Sequence, residues 1–247
     1  MITLGTDCEM FFTKGGKAAS AVGLLGGDKL HPVWVDESFN IQEDNVLAEF
    51  AITPCTTVQE WTGKIDKAVS HLQRVAQANE MGVEQLSSSV LDDVWLQTDA
   101  AKVFGCSPDM DAYAGVEKRP EPAGNLRTAG GHIHVGYQSD FDMASDLAKW
   151  MDIFLGVPSV ILDKDQRRRE LYGQAGSYRM KPYGIEYRVL SNFWLSIKEW
   201  AWENTHVAYE LCVEDEPPAE WDVRSIINNG DVDGAKRIVK EMGVVLP

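Results

Sequence analysis

Several familiar signatures are missing from this 247-residue chain, and each absence removes a class of function. Cys8, Cys55, Cys106 and Cys212 are its four cysteines, widely spaced and without a CxxC pair. Neither a disulfide framework nor a cysteine zinc site is therefore signalled, and a reducing compartment is the natural expectation. No run approaches the roughly 20 apolar residues of a membrane span. The start, Met1 to Asp7, lacks a basic flank and reaches an acid too soon for a signal peptide, so a soluble, cytoplasmic protein is expected. Positive charge is scarce: 23 basic against 38 acidic residues give a net charge of -15, which excludes a broad nucleic-acid surface. There is no GxxxxGK[ST], which Gly15-Gly16-Lys17-Ala18-Ala19-Ser20 does not satisfy, and no GxGxxG, so the usual glycine-loop nucleotide folds are unsupported. Repeats, low-complexity tracts and a clear interdomain linker are also lacking.

What is present suits a packed α+β chain, with eight Trp among the core-forming residues. Residues 2 to 13 alternate as a strand; 18 to 25 and 30 to 35 flank Gly26-Gly27-Asp28 as further strands of a small antiparallel sheet, and 46 to 53 form another, stopped by Pro54. Thr57-Val58-Gln59-Glu60 fits a capping box, and Val58, Trp61, Ile65, Val69, Leu72 and Ala76 follow at helical spacing, predicting a helix from 57 to about 80. Residues 97 to 129, rich in Gly, Pro, Asp and Asn, form a long loop leading into Gly130 to Gly136. Helices follow at about 141 to 156 and 158 to 171, then a turn-rich piece from Tyr172 to Tyr183 and a strand at 184 to 190. Phe193, Ile197, Trp200, Ala201, Val207, Ala208 and Leu211 mark one face of a long helix ending at Glu214 to Pro218, and 221 to 243 give two short helices around Asn229-Gly230.

The chemistry sits on strand-like runs. His132-Ile133-His134 places two imidazoles on one strand face, because residues two apart point the same way. Gly130, Gly131 and Gly136 leave room for another backbone or a ligand to approach. Asp7 and Glu9 repeat the device with carboxylates about 7 Å apart, suited to hard cations. Glu49 stands in an otherwise apolar strand, and Glu186-Tyr187-Arg188 closes the series. The bland alternatives are solvated strand edges for the acids and hydrogen-bonded core residues for the histidines. Between residues 167 and 188 six basic side chains, Arg167, Arg168, Arg169, Arg179, Lys181 and Arg188, face two acids, Glu170 and Glu186, which points to an anion. At least one of the three consecutive arginines reads as a solvated helix face, leaving Arg179 and Arg188 as the better ligand candidates. Acids and His for divalent cations, with Arg for phosphate, are the equipment for handling a nucleoside triphosphate.

In order and spacing these motifs resemble the glutamine synthetase and glutamate-cysteine ligase superfamily, and within it the phage-type amidoligases, or COOH-NH2 ligases of type 2. Gly5 to Phe11 resembles the first acidic strand, Ala48-Glu49-Phe50 the second, Gly130 to Gly136 the histidine strand, and Arg179 to Arg188 with Ser191-Asn192 the terminal Glu-x-Arg element. The likeness runs from about residue 3 to 195. It implies a curved antiparallel sheet shaped as a funnel, with helices on its convex face, in one domain whose residues 214 to 247 form a helical extension. It also implies ATP with two or three Mg²⁺ or Mn²⁺ ions, held by Asp7, Glu9, Glu49, Glu186 and one of His132 or His134. Alignment by the glycines favours His132, and alignment by His-Val favours His134, the other ring then facing nucleotide or substrate. Arg179, Lys181 and Arg188 are implied on the nucleotide side, with Glu9, Glu186, Arg179 and Arg188 as the catalytic set. Asp7 stands where relatives usually carry Glu, a reach shorter by one methylene.

The implied activity is ATP-dependent amide-bond formation through an acyl phosphate, joining a carboxylate or peptide substrate to an amine. Asp99, Asp109 and Asp111 are candidates for the group that deprotonates the amine. The likeness allows a homo-oligomer and functional partnership with ATP-grasp and amidotransferase enzymes. Two rivals remain: an accessory protein that binds nucleotide or peptide without turnover, and a mononuclear metal oxygenase using His132, His134 and a carboxylate. Gln138 and Ser139 occupy the stretch where a cupin-type site carries Glu, which disfavours the latter.

Overall fold

The computed structural model describes residues 2–102, 109–118, 124–138, 143–219 and 221–247. Its strands are β1 (Thr3–Lys14), β2 (Lys17–Ala19), β3 (Val33–Trp34), β4 (Phe39–Asp44), β5 (Leu47–Ile52), β6 (Gly82–Glu84), β7 (Ser88–Val90), β8 (Asp109–Asp111), β9 (Val116–Lys118), β10 (Leu126–Thr128), β11 (Gly131–Gly136), β12 (Ser177–Lys181) and β13 (Gly184–Tyr187). The helices are α1 (Val58–Ala78), α2 (Asp99–Lys102), α3 (Met143–Met151), α4 (Val157–Leu162), α5 (Arg168–Leu171), α6 (Lys198–Glu214), α7 (Val223–Asn229) and α8 (Val232–Glu241).

One open antiparallel sheet runs in the order β3-β4-β5-β1-β11-β13-β12-β8-β9, with β2 and β6 pairing the far half of β1. This is the expected α+β architecture. Strand alternation divides the sheet into two chemically different faces. Leu4, Cys8, Met10 and Phe12 of β1, with Phe50, Ile133, Val135, Ile185 and Tyr187, point into the main core. Asp7, Glu9, Glu49, His132, His134 and Glu186 stand on the opposite parity. The helices cover the apolar face: α1 lies against β4, β5 and β6, α3 against β12 and β13, and α6 against both α1 and α3. Trp61 of α1 stacks on Trp194 at 5.4 Å between ring centroids, and the Trp194 indole N–H donates to the Gly131 carbonyl at 2.9 Å, tying the core to β11. Val223, Ile226, Ile227, Ala235 and Ile238 of the last two helices belong to this same core.

A smaller core lies on the polar side of the sheet, where Phe11 and Leu47 meet Leu91, Leu96, Ala101 and Ala129. The β7–β10 ribbon and the 91–101 segment thus roof one end of the polar face.

The capping box forms in altered shape. Thr57 Oγ1 accepts from the Glu60 amide at 3.2 Å, but the Glu60 carboxylate takes the Thr56 amide at 2.9 Å rather than that of Thr57. The expected break at Pro158 is absent: α3 runs through a π turn, Asp152–Gly156, directly into α4. The wide turn accommodates a proline that has no N–H to donate. Residues 141 and 142 of the expected helix lie outside the described residues, and of the expected 158 to 171 helix only α4 and the four-residue α5 exist. The two strands expected around Gly26-Gly27-Asp28 shrink to β2 and β3, because Glu43 Oε1 accepts from the Gly23 and Leu25 amides at 2.9 and 3.1 Å and holds residues 21–26 in a turn. The 97–129 loop contains α2, β8, β9 and β10, and β12 lies within the expected turn-rich piece. The long helix predicted from Phe193 to Leu211 begins as a tighter turn, Asn192–Ser196, before α6, and Val207 is exposed rather than on the buried stripe. Gly230, at φ 64°, supplies the left-handed cap that separates α7 from α8 as expected. Cys106 and Ser139 lie outside the described residues.

Candidate active site

Register assembles the polar face. Glu9 pairs with Glu49 across β1 and β5, Asp7 with His132 across β1 and β11, His134 with Glu186 across β11 and β13, and Arg179 with Glu186 across β12 and β13. Residues far apart in sequence thereby form two adjoining groups. In one, ligand atoms of Asp7, His132 and Glu186 lie within 4.8 Å of one another; in the other, those of Glu9, Asp44 and Glu49 do.

The first group is charge-compensated. His132 Nδ1 is 2.7 Å from Asp7 Oδ1 and 3.6 Å from Glu186 Oε1. Gly130 matters here because a Cβ at that position would collide with the His132 ring. Glu186, 1% exposed, contacts the Arg188 guanidinium, the Lys181 ammonium at 2.6 Å and the Arg179 guanidinium at 3.7 Å. Burial, then the charge of Asp7, works against ionising Glu186, but Arg188 and the two histidines prevail and bring its pKa to about 2. For Asp7 burial likewise opposes ionisation, and the His134 and His132 rings outweigh it, holding the carboxyl well below its ordinary value. His134 is placed differently from His132. Its Nδ1 bonds the Tyr183 hydroxyl at 2.7 Å, and its Nε2 lies 3.2 Å from Asp7 Oδ2 without hydrogen-bond alignment.

The second group is less fully compensated. The Gly130 amide donates to Glu9 Oε2 at 2.6 Å, and Lys29 reaches Asp44 at 2.7 Å. Glu49 Oε2 is buried with no hydrogen-bond partner among the described residues. Burial, followed by the charges of Asp7, Asp44 and Glu9, raises the Glu49 pKa well above the usual carboxylate value; burial and Asp44 raise that of Glu9. Two unit charges about 4 Å apart repel by about 4 kcal/mol at an effective dielectric constant of about 20, so such a trio calls for cations. An all-carboxylate donor set with an orphaned buried oxygen fits a hard divalent ion such as Mg²⁺ or Mn²⁺, and the Asp7, His132 and Glu186 set fits Mg²⁺ or Mn²⁺ as well.

Of the three acids considered for amine deprotonation, Asp109 alone reaches this face. Its Oδ1 lies 3.0 Å from Arg179 Nε and 2.9 Å from Arg188 Nε, so it holds both guanidinium groups. Asp111 is tied to Arg224 at 2.8 Å and accepts the Tyr113 and Ala114 amides, while Asp99 is exposed at the start of α2. Arg167 is the solvated arginine, paired with Asp165 at 2.7 Å, whereas Arg168 and Arg169 are buried.

Two residues escaped the sequence reading. Asp44 shares a strand face with Gln42, which pairs with Glu49, and this alternation would have signalled it had Phe39 to Asp44 been read as a strand. Arg168 joins Glu9, Asp44, Asn45, Arg127, His132 and others in lining a cleft on this face. Its only sequence signal was membership of the arginine run. Among the described residues no helix is long and apolar enough to cross a membrane.

Residues 120–218 match the model of a family described as phage phiEco32-like COOH.NH2 ligase-type 2, in agreement with the resemblance drawn from the motifs. The matched stretch contains His132, His134, Arg168, Arg179, Lys181, Glu186 and Arg188. No curated protein matches the chain in sequence. Among solved structures it is similar to GmaS without ligand, at 12% identity and TM-score 0.47, over 97% of this chain and 62% of that one. GmaS in complex with ADP matches at 10% identity and TM-score 0.47, over 97% of this chain and 64% of that one. A structure described as a novel glutamine synthase homolog matches at 12% identity and TM-score 0.41, over 97% and 66% of the respective chains. The chain spans less than two thirds of the length of each.

Proposed function

We propose that this chain is an ATP-dependent carboxylate–amine ligase that forms an amide bond through an acyl phosphate on an amino-acid or peptide substrate. The observation that carries the reading is the pair of adjoining ligand groups, Asp7–His132–Glu186 and Glu9–Asp44–Glu49, on one face of the sheet with Arg179, Lys181 and Arg188 beside them. The match of residues 120–218 to a ligase family supports the reaction class.

In this reaction a substrate carboxylate oxygen attacks the γ-phosphorus, the bond to the ADP oxygen breaks, and the amine nitrogen then attacks the acyl carbon as phosphate leaves. The amine gives up one proton to a base. Bound Mg²⁺ or Mn²⁺ would offset phosphoryl charge and align the polyphosphate. The protein's own work is positioning and electrostatics. Asp7, Glu9, Asp44, Glu49, His132 and Glu186 would hold the ions, while His134, fixed by Tyr183, orients Asp7. Arg179, Arg188 and Lys181 present cations to the transferring group, and Asp109 holds the two guanidinium planes in place, which assigns it to positioning rather than to amine deprotonation.

The test is metal-dependent ADP release measured over a panel of carboxylates and amines. Glu9→Gln and Glu186→Gln are each expected to abolish release while the protein still folds. Release that survives either change would overturn the assignment, and nucleotide binding without release across a broad panel would favour a binding role.

A further inference from the structure

The C-terminal helices contribute no side chain to either ligand group, yet α7 is fastened to the strands that arrange the cations. It is fixed at one end by Asp222, whose side chain accepts from the Ser225 amide at 3.0 Å, and at the other by the left-handed Gly230. Val223, Ile226 and Ile227 bury its apolar stripe. Arg224 and Asn228, four residues apart, share another face and reach two separate segments. Arg224 Nη2 donates to Asp111 Oδ2 at 2.8 Å, and Asn228 Oδ1 accepts from the Ala175 amide at 2.8 Å. Asp111 belongs to β8, and Ala175 stands two residues before β12. The two segments are also joined to each other, because the Ala112 amide donates to the Gly176 carbonyl at 3.0 Å.

Asp109, two residues before Asp111, lies 3.0 Å from Arg179 Nε and 2.9 Å from Arg188 Nε, and Arg179 is itself on β12. A guanidinium contributes most to a transferring group when its orientation is set beforehand. β8 has three residues and meets β12 in two register pairs, Ser177 with Asp111 and Tyr178 with Met110. So short a strand is weakly placed by its own ladder. The ion pair between the buried Asp111 and Arg224 adds the constraint, since a buried carboxylate is costly to strip of its partner. Both residues lie outside the 120–218 stretch that matches the ligase family.

We propose that α7 braces the cation group, with Arg224 and Asn228 as positioning residues that set β8 and β12 and, through them, Asp109, Arg179 and Arg188. The consequence for turnover rests on the ligase reading; the holding of the guanidinium groups is a property of the fold alone.

The test uses the full chain with isotope-labelled arginine and measures solvent exchange of the Arg179 and Arg188 Nε–H groups, together with kcat and KM for ATP. Arg224→Gln removes the ion pair and Arg224→Lys keeps its charge. Asn228→Ala cuts the second grip and keeps the question answerable if Arg224→Gln does not fold. Ile238→Val, a core change in α8, is the control that weakens the same helical extension without touching either contact. Exchange at both Nε–H groups is expected to rise about fivefold or more in Arg224→Gln and Asn228→Ala. In both, kcat should fall about tenfold while KM for ATP changes less than about threefold, Arg224→Lys should recover part of each loss, and Ile238→Val should move neither. Exchange at the wild-type rate in both α7 variants, an unchanged kcat in both, or an equal response in Ile238→Val would overturn the brace. A wild-type protein that releases no ADP over the substrate panel would sink the ligase reading, and the exchange rates would still decide whether α7 holds the guanidinium groups.

Discussion

The two ligand groups on the polar face are built from the same residue types on neighbouring strands, yet they differ in what balances their charge. Glu186 and Asp7 are met by Arg188, Lys181 and two histidines, and their carboxyls titrate below the ordinary range. Glu9 and Glu49 meet mainly each other and Asp44, and titrate above it. One group is largely balanced by the protein's own cations; the other depends more on what it binds. Burial is the same force in both, and the sign of the shift is decided by whether cations stand close enough to outweigh it.

Changes to the two groups should therefore have opposite consequences for the metal-free fold. The largest effect is expected from Glu186→Ala, which leaves the buried Arg188 with Asp109 alone and takes the acid from Lys181. Chemical denaturation should show a loss of about 3–5 kcal/mol, and ATP turnover should fall by about 10²-fold or more. Glu49→Gln should act the other way, stabilising the metal-free protein by on the order of 1 kcal/mol because it removes a crowded charge, while weakening stabilisation by Mg²⁺. If Glu49→Gln instead destabilises the metal-free protein, the contrast between the two groups is wrong.

Linkage extends the contrast to pH. Glu9 and Glu49, with raised folded pKa values, contribute stability that is present below their unfolded values and lost as pH rises through the folded ones. Metal-free melting temperature should accordingly fall between mildly acidic and neutral pH, and saturating Mg²⁺ should flatten the profile. Glu186 works in the reverse sense, its contribution being present above its unfolded value and lost as pH falls toward about 2. A metal-free profile that rises smoothly to neutrality would remove the distinction. The smallest effect is expected from Tyr183→Phe, which frees His134 Nδ1 at a partly exposed hydrogen bond and should cost about 1 kcal/mol or less. Its value is diagnostic: an unchanged Mg²⁺ affinity would assign His132, not His134, to the metal.

The legible parts of this molecule were those in which a functional side chain interrupts an apolar alternation. Asp7 and Glu9 lie among Leu4, Cys8 and Met10, and His132 and His134 among Ile133 and Val135, so period two exposed both the strand and the site. Phe39-Asn40-Ile41-Gln42-Glu43-Asp44 has the same period, but its polar half consists of turn-forming residues, and β4 and Asp44 were lost with it. β8 and β12 hid in Gly- and Asp-rich surroundings because a short strand needs a neighbour's hydrogen bonds more than its own propensity. Arg168 was illegible for another reason: nothing local distinguishes it from Arg167, and its burial is decided by Gly173 and by the carbonyls of Ala129 and Arg188.

The strand that supplies both groups, β1, sits in mid-sheet and pairs with β5 on one side and with β11 on the other, where Asp7 meets His132. The first carboxylates made are thus among the last to be used. A nascent chain can fold β1 with β5 and α1 early, but it carries half a site until some 180 residues have emerged and β13 delivers Glu186. Contacts of such long sequence separation form slowly. Partly made chains would carry Glu9 and Glu49 side by side before Glu186 and Arg188 join them on the polar face.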